Sequence, residues 1–141
     1  MRWLAPGLLL LLLTGCEDRS YREIGANINA LTKPGGRPPS EAIAHLARIG
    51  RRAVPQIETA LHTASPRGKS NLINALDAIA EPEAAPIVQH FAVYDASPEV
   101  RGECEAMLKR WADSGDRRSG PARLALQNVA AKRAKGEGPE F

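Results

Sequence analysis

The sequence predicts an all-α fold, a short α-solenoid of about two and a half to three helix pairs with one extra helix at its N-terminus. Three observations carry this. Ala and Leu are plentiful, aromatics make up only 4% of the 141 residues, and no β-branched run alternates at period two, so nothing asks for a strand. Apolar residues recur at three- and four-residue steps in a series of short stretches, each an apolar helix face. Those stretches also repeat. Ile43, Leu46 and Ile49 match Ile73, Leu76 and Ile79 at a shift of thirty, and Pro55 matches Pro86 at thirty-one. Ser65, Pro66, Leu72, Leu76 and Ile79 match Ser97, Pro98, Cys104, Leu108 and Trp111 at thirty-two. A period of that size with two helices per unit is the mark of a helical repeat array.

The chain opens with Arg2 and an almost wholly apolar stretch, Leu4 to Leu13, followed by Thr14-Gly15-Cys16 and the polar Glu17-Asp18-Arg19. The stretch is about half the length a membrane-spanning helix needs. A basic start, a short apolar core and a small-residue end read as an export signal over residues 1–15. Leu13-Thr14-Gly15-Cys16 resembles the lipobox of bacterial lipoproteins. That resemblance implies cleavage before Cys16, lipid on the Cys16 sulfur and attachment to a membrane in the cell envelope. With Glu17 rather than Asp after the lipidated cysteine, it implies the outer membrane, facing the periplasm, if the source is Gram-negative. Ordinary secretion with Cys16 left as a thiol is the competing reading. Lipidation at Cys16 would leave Cys104 without a disulfide partner.

Residues 16–39 are expected to form a lipidated lead, a short helix and a linker. Ser20 followed by Glu23 fits a capping box, and Tyr21, Ile24, Ile28 and Leu31 make one apolar stripe. Gly25, Asn27 and Asn29 weaken this helix, so it has to dock to persist. Thr32-Lys33-Pro34-Gly35-Gly36-Arg37-Pro38-Pro39 then breaks it.

Residues 40–113 hold the repeats. Ser40 is expected to cap a helix with Ile43, Leu46, Ala47 and Ile49 inward, stopped at Gly50. The next helix carries Pro55 in its first turn, then Ile57 and Leu61. Ser65-Pro66 and Ser97-Pro98 each read as an N-cap followed by proline at the first helical position. Ser65-Pro66 leads to Leu72, Ile73, Leu76 and Ile79; Ser97-Pro98 leads to Val100, Cys104, Met107, Leu108 and Trp111. Between them Glu81-Pro82-Glu83 turns the chain into a helix with Ile87, Val88 and Phe91. Leu46-Ala47-Arg48-Ile49-Gly50 followed by Ala53-Val54-Pro55, and Asp95-Ala96-Ser97-Pro98-Glu99-Val100-Arg101, resemble HEAT-like repeats, closest to the short type also found in phycobilisome-lyase-like proteins. The resemblance weakens at Gly68-Lys69, where Val-Arg is expected, and at Glu81 to Pro86, where the connection is one residue longer. It implies a docking surface, not the lyase activity found elsewhere in that family.

Residues 114–141 are expected to form a polar loop, a helix from Pro121 with Ala122, Ala125, Leu126, Val129 and Ala130 on one face, and a disordered end from Gly136. Arg123, Lys132, Arg133 and Lys135 lie mostly around the other face, so this helix is expected either to cap the array or to meet an anionic surface.

The net charge is +3, but it comes in blocks. Residues 33–69 carry seven Lys/Arg against two acids, 74–105 carry seven acids against Arg101, and 106–141 carry eight Lys/Arg against four acids. Such blocks attract one another within a fold or steer a charged partner. Arg101 is expected to pair with Asp77 or Asp95. The sequence has no Walker loop, dinucleotide fingerprint, nucleophile elbow or paired-histidine zinc helix, and His45, His62 and His90 are not at ligand spacing. Cys104 falls at a core position. No catalytic, cofactor-binding or metal-ligating residue is assigned, and no nucleic-acid partner is expected. The expectation is a non-catalytic module that docks an unidentified envelope protein through its second helices, at Gln56, Thr59, His62, Gln89 and His90. A structural protein touching anionic lipid or polymer through the basic C-terminal segment is the alternative.

Overall fold

The computed structural model describes residues 11–139, with side chains from Arg19 onward. Most of the expected export signal, the Cys16 side chain and the last two residues lie outside the described residues. Among the described residues the chain forms seven α-helices and two 3₁₀ turns with no strand. The helices are α1 (Leu11–Thr32), α2 (Pro39–Ile49), α3 (Val54–Leu61), α4 (Pro66–Ile79), α5 (Ala85–Tyr94), α6 (Pro98–Asp113) and α7 (Ser119–Ala134). The 3₁₀ turns Gly50–Ala53 and Pro82–Ala84 link α2 to α3 and α4 to α5. The architecture is a short all-α solenoid of three helix pairs, α2/α3, α4/α5 and α6/α7, with α1 added in front. The first helices, α2, α4 and α6, pack in a row. In the second layer α5 meets α7 and also lies against α6.

Both serine caps in the array form as the sequence implies. The Gly68 N–H donates to Ser65 Oγ at 3.2 Å and the Val100 N–H to Ser97 Oγ at 3.4 Å, with proline opening each helix. Gly50 closes α2 with a φ of 71°. Ser40 is not a cap. Pro38 stands at that place, its carbonyl accepting from the Glu41 and Ala42 N–H groups, because Pro39 takes the first helical position with its φ already set. Ser20 and Glu23 likewise open no helix: α1 runs straight through them from Leu11. Tyr21 is 65% exposed, while Ile24, Ile28 and Leu31 are buried.

The helix α1 docks. It packs on α2, α3 and α4, and its end is tied down by the Asn71 amide, which donates to the Leu31 carbonyl at 3.0 Å. Asn27, a poor helix former, is buried and fully employed. Its amide donates to the Glu23 carbonyl at 2.9 Å and its oxygen accepts from Arg37 at 3.1 Å. The same docking accounts for the broken repeat at Gly68. A Cβ built there would lie 3.4 Å from the Thr32 Cα and 3.3 Å from the Ala64 Cβ. The end of α1 lies where a side chain at this position would go.

The core runs through all three pairs, from Leu46 and Ile57 through Leu72, Leu76 and Val88 to Met107, Leu108 and Trp111. The charge blocks close on each other. Arg51 meets Glu83 at 3.0 Å, Lys69 meets Asp95 at 2.5 Å, Arg110 meets Asp77 at 2.8 Å and Arg133 meets Glu105 at 2.7 Å. Arg101 does not take either expected carboxylate. Its guanidinium donates to the carbonyls of Asp95 at 2.6 Å and Ala96 at 3.1 Å. Lys69 and Ser97 N–H hold the Asp95 carboxylate, and Asp77 accepts from the buried Trp111 indole at 2.7 Å as well as from Arg110. The tail from Gly136 is not wholly loose. Gly136, at φ 78°, turns the chain so that its N–H and that of Glu137 donate to the carbonyls of Arg133 and Lys132.

Candidate binding surface

The sequence-derived candidates do not form one patch. His62, at the end of α3, and His90, in the middle of α5, come together with ring centroids 5.8 Å apart. Gln56 lies elsewhere, in a groove with Ser20, Tyr21, Ile24 and Arg52 beside α1. Gln89 faces α7, where its oxygen accepts from the Asn128 amide at 3.1 Å. Thr59 is exposed, its hydroxyl donating back to the Pro55 carbonyl at 3.1 Å.

Around the two histidines the second helices build an aromatic ridge. His62 meets Phe91 at 5.1 Å, and His90 meets Phe91 at 5.3 Å edge-on and Tyr94 at 5.1 Å. His90 and Tyr94 are one helical turn apart on α5, so they share a face. Beside the ridge runs an open groove of about 330 Å³ lined by Glu58, His62, Pro86, Ile87, His90 and Phe91. Lys69 lies over the Phe91 ring at 5.8 Å and Lys132 over Tyr94 at 5.5 Å, both within cation–π reach. Partial burial, and then the facing His62, lower the His90 pKa; Lys132 adds to this and Glu58 opposes it.

Repeat equivalence pairs His90 with Thr59, not with His62, and so hid this contact. Tyr94, Glu58 and Lys132 were missed as site residues, while Phe91 is a core residue of α5 that also borders the groove. The four-residue step from His90 to Tyr94 was the one signal available, but it looks the same as an ordinary helix face.

The ridge has no evident chemistry of its own. Among the described residues no group of three His, Cys, Asp or Glu side chains is placed to hold a metal ion. Cys104 is fully buried, and burial pushes its thiol up to about 12, so it stays protonated. The perturbed carboxylates lie below their usual range. The hydroxyl of Ser97 lowers Glu99, and Arg133 lowers Glu105. Arg118 lowers Asp116, and the Tyr94 hydroxyl lowers Glu137. A general acid needs the opposite shift. No described helix is long and apolar enough to cross a membrane.

Comparison with known proteins gives one family. A model described as HEAT repeats matches residues 26–109. No curated protein and no solved structure matches the chain. The matched span begins inside α1 and ends in α6, so it takes in the docked end of α1 as well as the regular repeats.

Proposed function

The chain belongs to the HEAT-repeat family, and we propose that it is a non-catalytic protein-docking module, held in the cell envelope by lipid on Cys16. The observation that carries the docking reading is the ridge of His62, His90, Phe91 and Tyr94. It places the rings of His62, His90 and Tyr94 on one face of the second-helix layer, over the buried Phe91 and beside an open groove. Aromatic side chains bearing a polar tip are enriched where proteins bind each other, because they bury much area for little lost side-chain entropy. Repeat arrays use their extended faces in this way.

The anchor reading rests on Leu13-Thr14-Gly15-Cys16, and the outer membrane facing the periplasm is its expected site in a Gram-negative cell. Labelling cells with a radioactive fatty acid tests it. The wild-type chain should take up label and sediment with membranes, and Cys16→Ala should do neither. A Cys16→Ala chain that still sediments would end that reading.

Crosslinking of the native protein in cells tests the docking reading. A photoreactive residue at His62 should capture one protein partner, and the His90→Ala variant should lose it with an unchanged melting temperature. Undiminished capture would remove the ridge as the docking surface.

A further inference from the structure

The ridge ends at Tyr94, and there the protein holds one of its own carboxylates. The Tyr94 hydroxyl donates to Glu137, and the Lys132 ammonium donates to Glu137 and to the Tyr94 oxygen, each at 3.1 Å. The turn at Gly136 places the acid there. It reverses the chain just past α7 so that Glu137, only five residues beyond Lys132, comes back over it. Both side chains of the ion pair stay about one-third exposed, at 35% and 37%. Pairs so exposed are weak and exchange readily with other anions.

We propose that Tyr94 and Lys132 form a carboxylate seat at the Tyr94 end of the aromatic ridge, and that Glu137 fills it as an internal stand-in for an acidic side chain of the partner. This inference rests on the docking reading above. A hydroxyl and an ammonium converging on one point select a carboxylate by charge and by hydrogen bonding. Next to the seat, the opening that Tyr94 lines is bordered by His62, Lys69, His90, Phe91 and Asp95. The partner segment that fits therefore presents an exposed carboxylate to the Tyr94 end of the ridge. While Glu137 occupies the seat, only the fraction of molecules with the tail released can bind, which lowers the apparent affinity by that fraction.

A fluorescent peptide with the sequence of residues 136–141, capped at both ends, is a suitable probe because it carries the seat's own acid. Its binding is followed by anisotropy to the full chain in detergent micelles. Glu137→Gln should bind the peptide about threefold or more tighter than wild type. Adding Tyr94→Phe should erase that gain, and a peptide with Gln in place of its first Glu should not bind. Equal affinity for wild type and Glu137→Gln, or a gain that survives Tyr94→Phe, would overturn the seat. So would no binding to either protein. Wild-type self-association that the peptide blocks would assign the seat to a second copy's tail and overturn the partner assignment. Partner capture at His62 that still depends on His90, with no peptide binding, would sink the seat and leave the docking reading standing. Loss of both would remove both.

Discussion

Ala80 closes α4 in the left-handed region, at φ 59° and ψ 31°, with its N–H donating to the Leu76 carbonyl. A left-handed backbone costs an L-residue about 1 kcal/mol or more relative to glycine, part of which glycine gives back as unfolded-state entropy. Ala80→Gly is therefore expected to stabilise the fold by about 0.5–1 kcal/mol, read as a raised midpoint in urea unfolding with an unchanged slope. His90 makes a prediction of a different kind. Partial burial chiefly, and then His62 across the groove, lower its pKa in the fold, with Lys132 adding and Glu58 opposing. The unfolded chain takes up that proton first as pH falls through about 6.5. Stability contributed by His90 is thus present above that value, declines as pH drops towards the lower folded pKa, and levels off beneath it. Melting temperatures between pH 7.5 and 5.5 should fall for wild type and fall less for His90→Gln. Equal slopes would show that the fold does not lower the His90 pKa. The lowered carboxylates, Glu105 among them, act only further down, near and below the usual carboxylate range.

At the scale of the element, α1 decides the most. Its stripe of Ile24, Ile28 and Leu31 is buried against α2, α3 and α4, so Ile24→Ala should cost about 2–5 kcal/mol, the range for large apolar side chains removed from a core. A loss under about 1 kcal/mol in chemical denaturation would mean α1 is a tether that only touches the array. Gly68 probes the same docking from the other side. Restoring the repeat's usual residue by Gly68→Val should cost about 1–3 kcal/mol through overpacking against Thr32 and Ala64. Most of the elements were legible in the sequence because proline and serine punctuate this chain so heavily. Pro55, Pro66, Pro86 and Pro98 each fall in the first turn of a helix, as their fixed φ requires. What was not legible is what depends on neighbours. Ser20 and Ser40 have the right chemistry for caps, but a cap forms only where a helix starts, and that is set by the chain before it. Arg101 sits within reach of two acids, yet geometry gives Asp77 to Trp111 and Arg110, and Asp95 to Lys69. The ridge was half visible. Both histidines were read as lying on the second-helix face, but their contact is a diagonal between neighbouring second helices that repeat alignment does not reveal.

Across the whole molecule each helix touches only near neighbours in the array, so stability should be distributed along the solenoid as a chain of interfaces. The interfaces are unequal. At the centre, Leu72 and Leu76 are fully buried in α4, which packs against α1, α2, α3 and α6 at once. At the end, α7 rests on α5 and α6 largely through Ala122, Ala125 and Val129. Each buried methylene is worth about 0.8 kcal/mol, so the alanine-rich face of α7 holds it far less firmly than the leucines hold α4. Its remaining ties are polar, such as Arg133 to Glu105 and Lys132 to the Tyr94 hydroxyl. The molecule should therefore open from the α7 end first. Amide exchange should show α7 leaving at a lower opening energy than α4, with the gap widened by Val129→Ala, which should leave α1 to α4 unaffected. Leu76→Ala should instead lower protection in α1, α2, α3 and α6 together with α4, because α4 packs against all four. Uniform protection loss from both substitutions would show a single cooperative unit. In that case the Tyr94 end of the ridge, which α7 builds with Lys132, could not loosen without the whole fold.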